Sequence, residues 1–382
     1  MRPRRGVIPR APVAPVAPVA IVALLGAAGA ASCGPPPTDV FTALAAIPGG
    51  ALLSTWVNRE GTRAYLVGGL VGVDPAMAPD RSAIGRLVRY ENGRFETVCR
   101  SPSVLWWVHA VDNVVFASGE NGTVLRFEEG RGCTQIQLGL DFPMGAPTLW
   151  GAFARSPTDV VFVGGSAAPD GTKGVLLEYD GTTFRRATIP ARAQSENLFK
   201  VAAVGDATLV VGARGIVLRR ATGSNSWVEE SVPPLGGDDT IFTVSCASAG
   251  ERCIAVGGVG VGRVLHRSAA GAWTLDPISD EIPGMSGVWV HRADRAFVVG
   301  NNGTTLAYAG ASFYRPPSTV TRDALHAVHG ASAGSLVIAV GGEMLDPRPT
   351  QRATILLRGV DRREFTFDGA PLRATGAARP EL

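Results

Sequence analysis

The chain has 382 residues, of which 46% are hydrophobic and 18% charged, with 48 glycines and a formal charge of +3. Val-rich runs alternate with Gly, Asn and Asp turns, the texture of many short strands, and long apolar patterns of helical period are absent. The basic balance is local: Arg2, Arg4, Arg5 and Arg10 precede the first apolar stretch without an accompanying acid, and without these four the charge of +3 becomes −1, so no basic footprint for nucleic acid is left.

Residues 1–32 read as an export signal: a basic start, an uncharged stretch from Ala11 to Ser32, and small residues leading to a cysteine at Ala30-Ala31-Ser32-Cys33. This resembles a bacterial lipobox. The resemblance implies cleavage before Cys33 and a diacylated thiol there, tethering a folded body to the cell envelope. Gly34 follows the cysteine, not the Asp that marks inner-membrane retention in many lipoproteins, which points to the periplasmic side of the outer membrane or the cell surface. The motif usually has Leu where Ala30 stands, so a plain secretory signal and an uncleaved anchor stay open. Pro12, Pro15 and Pro18 count against a permanent transmembrane helix. Residues 33–49 then form an anchor cysteine and a Pro-rich spacer.

From residue 50 a short apolar strand ending in glycine recurs seven times, closing at Gly68, Gly119, Gly164, Gly212, Gly257, Gly300 and Gly341, with spacings of 51, 45, 48, 45, 43 and 41. Such a period suits four strands and their turns. Eleven to fifteen residues before each glycine stands an aromatic or His: Trp56, Trp106, Trp150, Phe199, Phe242, Trp289, His326. Downstream come a second apolar run and an aromatic at Phe95, Phe184, Trp227, Trp273, Phe313 or Phe365. One such sheet cannot cover its own faces, so copies must stack, and strand twist turns the stack into radial blades. The expected fold is all-β, a seven-bladed β-propeller with four-stranded antiparallel blades over residues 50–368, followed by a disordered tail at 369–382. The closing strand of the last blade is open between Asp39–Ile47 and Glu364–Asp368. Asn121-Gly122 and Asn302-Gly303 fit tight hairpins between second and third strands.

Export makes disulfides meaningful. Cys246 and Cys253 flank a six-residue turn and face each other across a hairpin, whereas Cys99 and Cys133 fall in the last strands of neighbouring repeats and pair only if those edges approach. Neither pair has a third Cys or His at metal-ligand spacing, so no metal is expected.

The repeat texture, as Val210-Val211-Gly212, Gly215-Ile216-Val217-Leu218 and Gly223 to Trp227, resembles bacterial propellers of the BNR and photosystem-assembly-factor type over about 310 residues. The resemblance implies the fold and not the function, because propellers host enzymes, scaffolds and ligand binders alike. No repeat carries a strict Ser-x-Asp-x-Gly-x-Thr-Trp box, a departure from the sialidase branch.

The repeated aromatics answer a packing need that every blade shares. Symmetry breaks in the connections between second and third strands, where repeats one, three and seven carry insertions, Leu70 to Ser82, Ser166 to Gly174 and Glu343 to Arg352. Long loops on one face are the best site candidate. They hold Asp74, Asp80, Asp170, Glu343 and Asp346, an acidic rim that matches no calcium loop and reads equally as solvated surface. His326, close to His329, is the odd member of the aromatic series and joins the candidate binding residues, although a His on an apolar strand is usually structural. His-Glu-x-x-His, Gly-x-Ser-x-Gly and phosphate-loop motifs are absent, and Gly257 to Gly262 lies between strands with no helix to receive a phosphate. No catalytic residue and no cofactor are assigned. The reading is a monomeric, non-enzymatic envelope platform for a protein or glycan, held at the membrane by its lipid alone. Its rivals are an extracytoplasmic polysaccharide hydrolase or lyase and a purely structural envelope component.

Overall fold

The computed structural model describes residues 41–375 apart from 237–239, 248–249, 251, 317–319 and 361–363. The export segment, Cys33, the spacer up to residue 40 and the tail from residue 376 lie outside the described residues. No helix among the described residues is long and apolar enough to cross a membrane.

Seven four-stranded antiparallel blades follow one another, five as separate sheets and the first and last joined by a C-terminal hairpin into one 11-stranded sheet. Their inner strands are Ala51–Val57, Leu105–Val111, Thr148–Ser156, Leu198–Val204, Ile241–Cys246, Met285–Arg292 and Ala324–Gly330. Each inner strand packs on the next and the seventh packs on the first, so the ring is closed. The core is divided the same way. Between blades two and three, Phe116 and Val114 meet Phe162 and Leu177, and between seven and one, Ile338 and Ile355 meet Leu52 and Leu66. Each blade covers its neighbour's flank, and the fully buried side chains at these seams contribute roughly 1.5–3 kcal/mol each.

The seven repeated glycines stand last or next to last in the second strands, and their φ values are not the cause. A Cβ at Gly68, Gly119, Gly164, Gly212, Gly257, Gly300 or Gly341 would lie 1.9–2.4 Å from the carbonyl oxygen of Ala51, Val104, Thr148, Asn197, Thr240, Gly284 or Ala324 respectively. In four blades that same oxygen accepts the N–H of the residue after the glycine, as at Glu120, Ala213, Gly258 and Asn301. The chain leaves the second strand pressed against the start of the first, and a side chain has no room there.

Closure uses both chain ends. Thr42–Leu44 is the outer strand of blade seven, pairing antiparallel with Arg352–Arg358. Of the two segments open from sequence, the N-terminal one completes the blade. Glu364–Phe367 and Ala370–Thr375 form a hairpin outside the ring proper. Its second strand pairs with Thr42–Leu44, and its first runs parallel to Arg94–Ser101, the outer strand of blade one. The hairpin thus clips the outer edges of the last and first blades together, and the propeller occupies residues on both sides of the expected 50–368.

Candidate functional site

Every inner strand carries a β-bulge near its start, between Leu52/Ser54, Leu105/Trp107, Leu149/Gly151, Leu198/Lys200, Ile241/Thr243, Met285/Gly287 and Leu325/Ala327. The skipped residues, Leu53, Trp106, Trp150, Phe199, Phe242, Ser286 and His326, therefore share one level of the ring. Trp150 to Phe199 and Phe199 to Phe242 are 5.1 and 5.4 Å apart, and His326 lies edge-on to Trp106 at 5.7 Å, donating Nδ1–H to the Leu53 carbonyl across the seam. Trp56 and Trp289 do not belong to this level. They stand three residues further along, with His109, Phe153, Ala202, Ser245 and His329. Five of the seven positions aligned from sequence are equivalent, and two are displaced by one layer.

The second layer holds the blades together by a repeated bond. The side chain accepts the backbone N–H of the next blade: His109 Nδ1 from Ala154 at 3.3 Å, Ser245 Oγ from Val290 at 3.0 Å, and His329 Nδ1 from Val57 at 3.1 Å. An imidazole that accepts at Nδ1 carries its proton at Nε2, so His109 and His329 are neutral donors. Burial pushes His109 down to about 4, and burial together with His109 pushes His329 down to about 3. His326 is held at about 4 by burial first and then by Lys200.

Lys200 is the one lysine in the ring interior. It is 4% exposed, and its Nζ sits 3.1 Å from the centroid of Trp107 with a 3.4 Å approach to the Trp150 carbonyl. The intervening blade presents Gly151 at that level, which leaves the lysine room to reach Trp107. Burial drives its pKa well below that of a free lysine. Below Trp107 the channel widens into a cavity of about 360 Å³, open on the face of the turns between first and second strands.

The opposite face carries the three insertions, and they are built loops. Gln351 in blade seven is fully buried, exchanging hydrogen bonds with both N–H and C=O of Val71 in the blade-one insertion. Met344 packs beside Leu70 and Val73. In blade three, Asn197 binds the N–H and C=O of Ser166, and Lys173 ties to the Ser166 and Ala168 carbonyls.

The acids expected at this rim do not converge. Asp74 and Asp80 accept from Ala76 N–H and Ser82 N–H within their own turns, Asp346 binds Arg348, and Asp170 and Glu343 are exposed. The Ser82 bonds and the Arg348 guanidinium hold Asp80 and Asp346 below the usual carboxylate range. His326 lies in the channel, away from these loops. No group of three or more His, Cys, Asp or Glu side chains that would hold a metal ion exists among the described residues. Both disulfides form, including the Cys99–Cys133 pair left open from sequence. Cys99–Cys133 joins the outer strands of blades one and two with Cα atoms 6.0 Å apart, and Cys246–Cys253 crosses the blade-five hairpin at 4.0 Å.

What composition did not signal is where apolar surface is left uncovered. Among the described residues the exposed large hydrophobics are Met77, Met144, Val228, Val259, Val261 and Leu345. All but Val228 lie in connections of the insertion-bearing face. Leu345 is 97% exposed and Met77 59%, in insertions whose bases touch through Gln351 and Val71.

No protein-family model matches the chain and no curated protein is similar to it. Solved structures are. YCF48 from Cyanidioschyzon merolae is similar at 13% identity and a TM-score of 0.57, over 83% of this chain and 98% of that one. A structure of YCF48 bound to D1 peptide gives 13% and 0.58, over 84% and 96%. Virginiamycin B lyase from Staphylococcus aureus gives 9% and 0.59, over 83% and 99%. At these identities the likeness is one of fold, and the β-propeller is that fold.

Proposed function

We propose that this propeller is a non-enzymatic interaction platform of the bacterial cell envelope, tethered through a lipid on Cys33 and docking a protein on the face that carries the insertions. The carrying observation is that the exposed large apolar side chains Met77, Met144, Val259, Val261 and Leu345 all lie on that face, with the loops of Met77 and Leu345 joined at their bases by the buried Gln351. Monomeric proteins seldom leave such residues grouped on one face, and a rigid apolar centre with a polar rim is the anatomy of a docking surface. Asp74, Asp80, Glu343 and Asp346 supply that rim. A propeller of similar shape, YCF48, has been solved with a peptide bound, which supports a protein partner over a glycan. The export signal and the lipobox-like Ala30-Ala31-Ser32-Cys33 support the location.

The test is site-specific photo-crosslinking in cells, with a benzophenone amino acid at position 345, 77 or 228. Val228 is 52% exposed but sits on the outer strand of blade four, away from the proposed face. A discrete adduct from positions 345 and 77 and none from 228 is the expected result. Equal adducts from all three positions, or none from any, overturns the reading.

A further inference from the structure

We infer that the channel cavity on the face opposite the insertions is a binding site for a small aryl carboxylate. Its walls are flat and apolar: Trp56, Trp107, Phe153 and Trp289 line it. Its volume, about 360 Å³, falls in the lower part of the range of small-molecule pockets, enough for a single ring and a short side chain. The polar groups decide the rest. His109 and His329 line the cavity, and each has its Nδ1 committed to a backbone N–H of the neighbouring blade. That fixes the proton on Nε2 in both rings, and neither Nε2 has a partner among the described residues. Two donors are therefore set by the blade spacing and left for a ligand. Both imidazoles line the one cavity, so an acceptor lodged there meets donors from blades two and seven.

No lining residue is acidic, and the exposed Arg59 stands at the mouth. The site thus offers donors and one cation and no carboxylate, so an ammonium group meets only the aromatic faces, the Thr55 hydroxyl and His291. A carboxylate satisfies both imidazole donors and is attracted by Arg59, while an aromatic body replaces water against the indoles. A neutral or cationic ligand of the same shape meets the walls but not the donors.

The probes are 4-fluorophenylacetate, its neutral amide and 4-fluorophenethylammonium, followed by fluorine NMR on the mature domain carrying ¹⁵N-labelled histidine. The carboxylate is expected to saturate, to move the Nε2 resonances of His109 and His329, and to bind at least about tenfold more tightly than either the amide or the ammonium. Arg59→Gln changes an exposed side chain and is expected to weaken the carboxylate about fivefold. Equal binding of the three probes, saturation that leaves both imidazoles unmoved, no weakening in Arg59→Gln, or no saturation below about 10 mM each overturns the assignment. Because this cavity and the apolar loops occupy opposite faces, failure here leaves the crosslinking result at positions 345 and 77 untouched.

Discussion

His329 of the last blade accepts the backbone N–H of Val57 of the first through Nδ1 at 3.1 Å, so the seam of the ring is closed by an imidazole that has to stay neutral. Protonation at Nδ1 destroys that bond and puts a charge in a buried site. The folded pKa is about 3 for His329 and about 4 for His109 and His326, against an ordinary value near 6.5. The folded state therefore binds fewer protons than the unfolded chain from about pH 6.5 downward, and stability falls as pH drops through that window. A tenfold change in proton affinity is worth about 1.36 kcal/mol, and after a discount for the channel's water each histidine is expected to cost roughly 2 kcal/mol by pH 4. Urea unfolding at pH 7.5 and 4.5 checks this, and an unchanged midpoint contradicts it.

Lys200 makes a second linkage at the other end of the scale. Its amine is buried against Trp107, which depresses its pKa, so above that folded pKa the unfolded chain carries a proton that the folded chain lacks. Stability should rise with pH up to the ordinary lysine pKa near 10.4, by up to about 1.36 kcal/mol for each tenfold drop in proton concentration. Lys200→Met keeps the apolar stem and removes the amine. It is expected to be as stable as the parent or more so at pH 7, and to lack this slope between pH 7.5 and 9.5. Parallel slopes for the two proteins would show that Lys200 is charged in the fold.

The blade count, the four-strand unit and the hairpin disulfide were legible because each rests on a local pattern: glycine after an apolar run, Asn-Gly at a turn, two cysteines flanking six residues. The glycines are a useful case, since their spacing was visible and their cause was not. A carbonyl at the start of one strand presses on the end of the next, which is a non-local contact. The aromatic layer was half legible. Trp56 and Trp289 look equivalent to Trp106 in a gapped reading, and only the bulge registers place them one layer deeper. His109 carries no signal of its own until its Nδ1 is seen to bond blade three. Arg214-Gly215 adopts the same left-handed turn as Asn121-Gly122 and Asn302-Gly303, with φ of 53° at Arg214, though arginine gives no hint of it. The closing strand was undecidable because both ends carry strand-forming residues and the structure uses both.

The two disulfides should differ in weight. Cys99–Cys133 closes 34 residues and Cys246–Cys253 closes 7. By loop entropy their removal is expected to cost about 4 and about 2 kcal/mol respectively. Paired Cys→Ser variants, unfolded in guanidinium, measure both. A larger loss from the shorter loop would mean that strand packing at the blade-five turn, not chain entropy, sets the effect.

The two closing segments also have separable roles. Removing the hairpin after residue 360 takes away the Thr97 N–H and Oγ1 bonds to Asp368, at 2.7 and 2.9 Å, and the stacking of Phe367 on Phe95. Blade seven keeps its four strands, so a folded but weaker ring is expected, down by a few kcal/mol. Deleting residues 41–49 instead leaves Arg352–Arg358 as an unpaired edge, and that variant should aggregate. Size-exclusion chromatography and circular dichroism separate the two outcomes. A monomeric, fully stable 41–49 deletion would show that the C-terminal hairpin alone suffices to close the ring.

Glycine at the end of the second strand gives the sharpest steric prediction. A Cβ at Gly257 would sit 1.9 Å from the Thr240 carbonyl oxygen, which also accepts the N–H of Gly258. Backbone on both sides is pinned, so neither can yield without breaking the bond that starts blade five. Gly257→Ala is expected to cost about 2–4 kcal/mol. Gly260, three residues on in the same connection, has nothing within 4 Å of its Cβ position, so Gly260→Ala should fall within about 0.5 kcal/mol of the parent. Thermal unfolding of the two variants side by side separates close approach from a general intolerance of alanine in this loop, because the second cause would lower both alike.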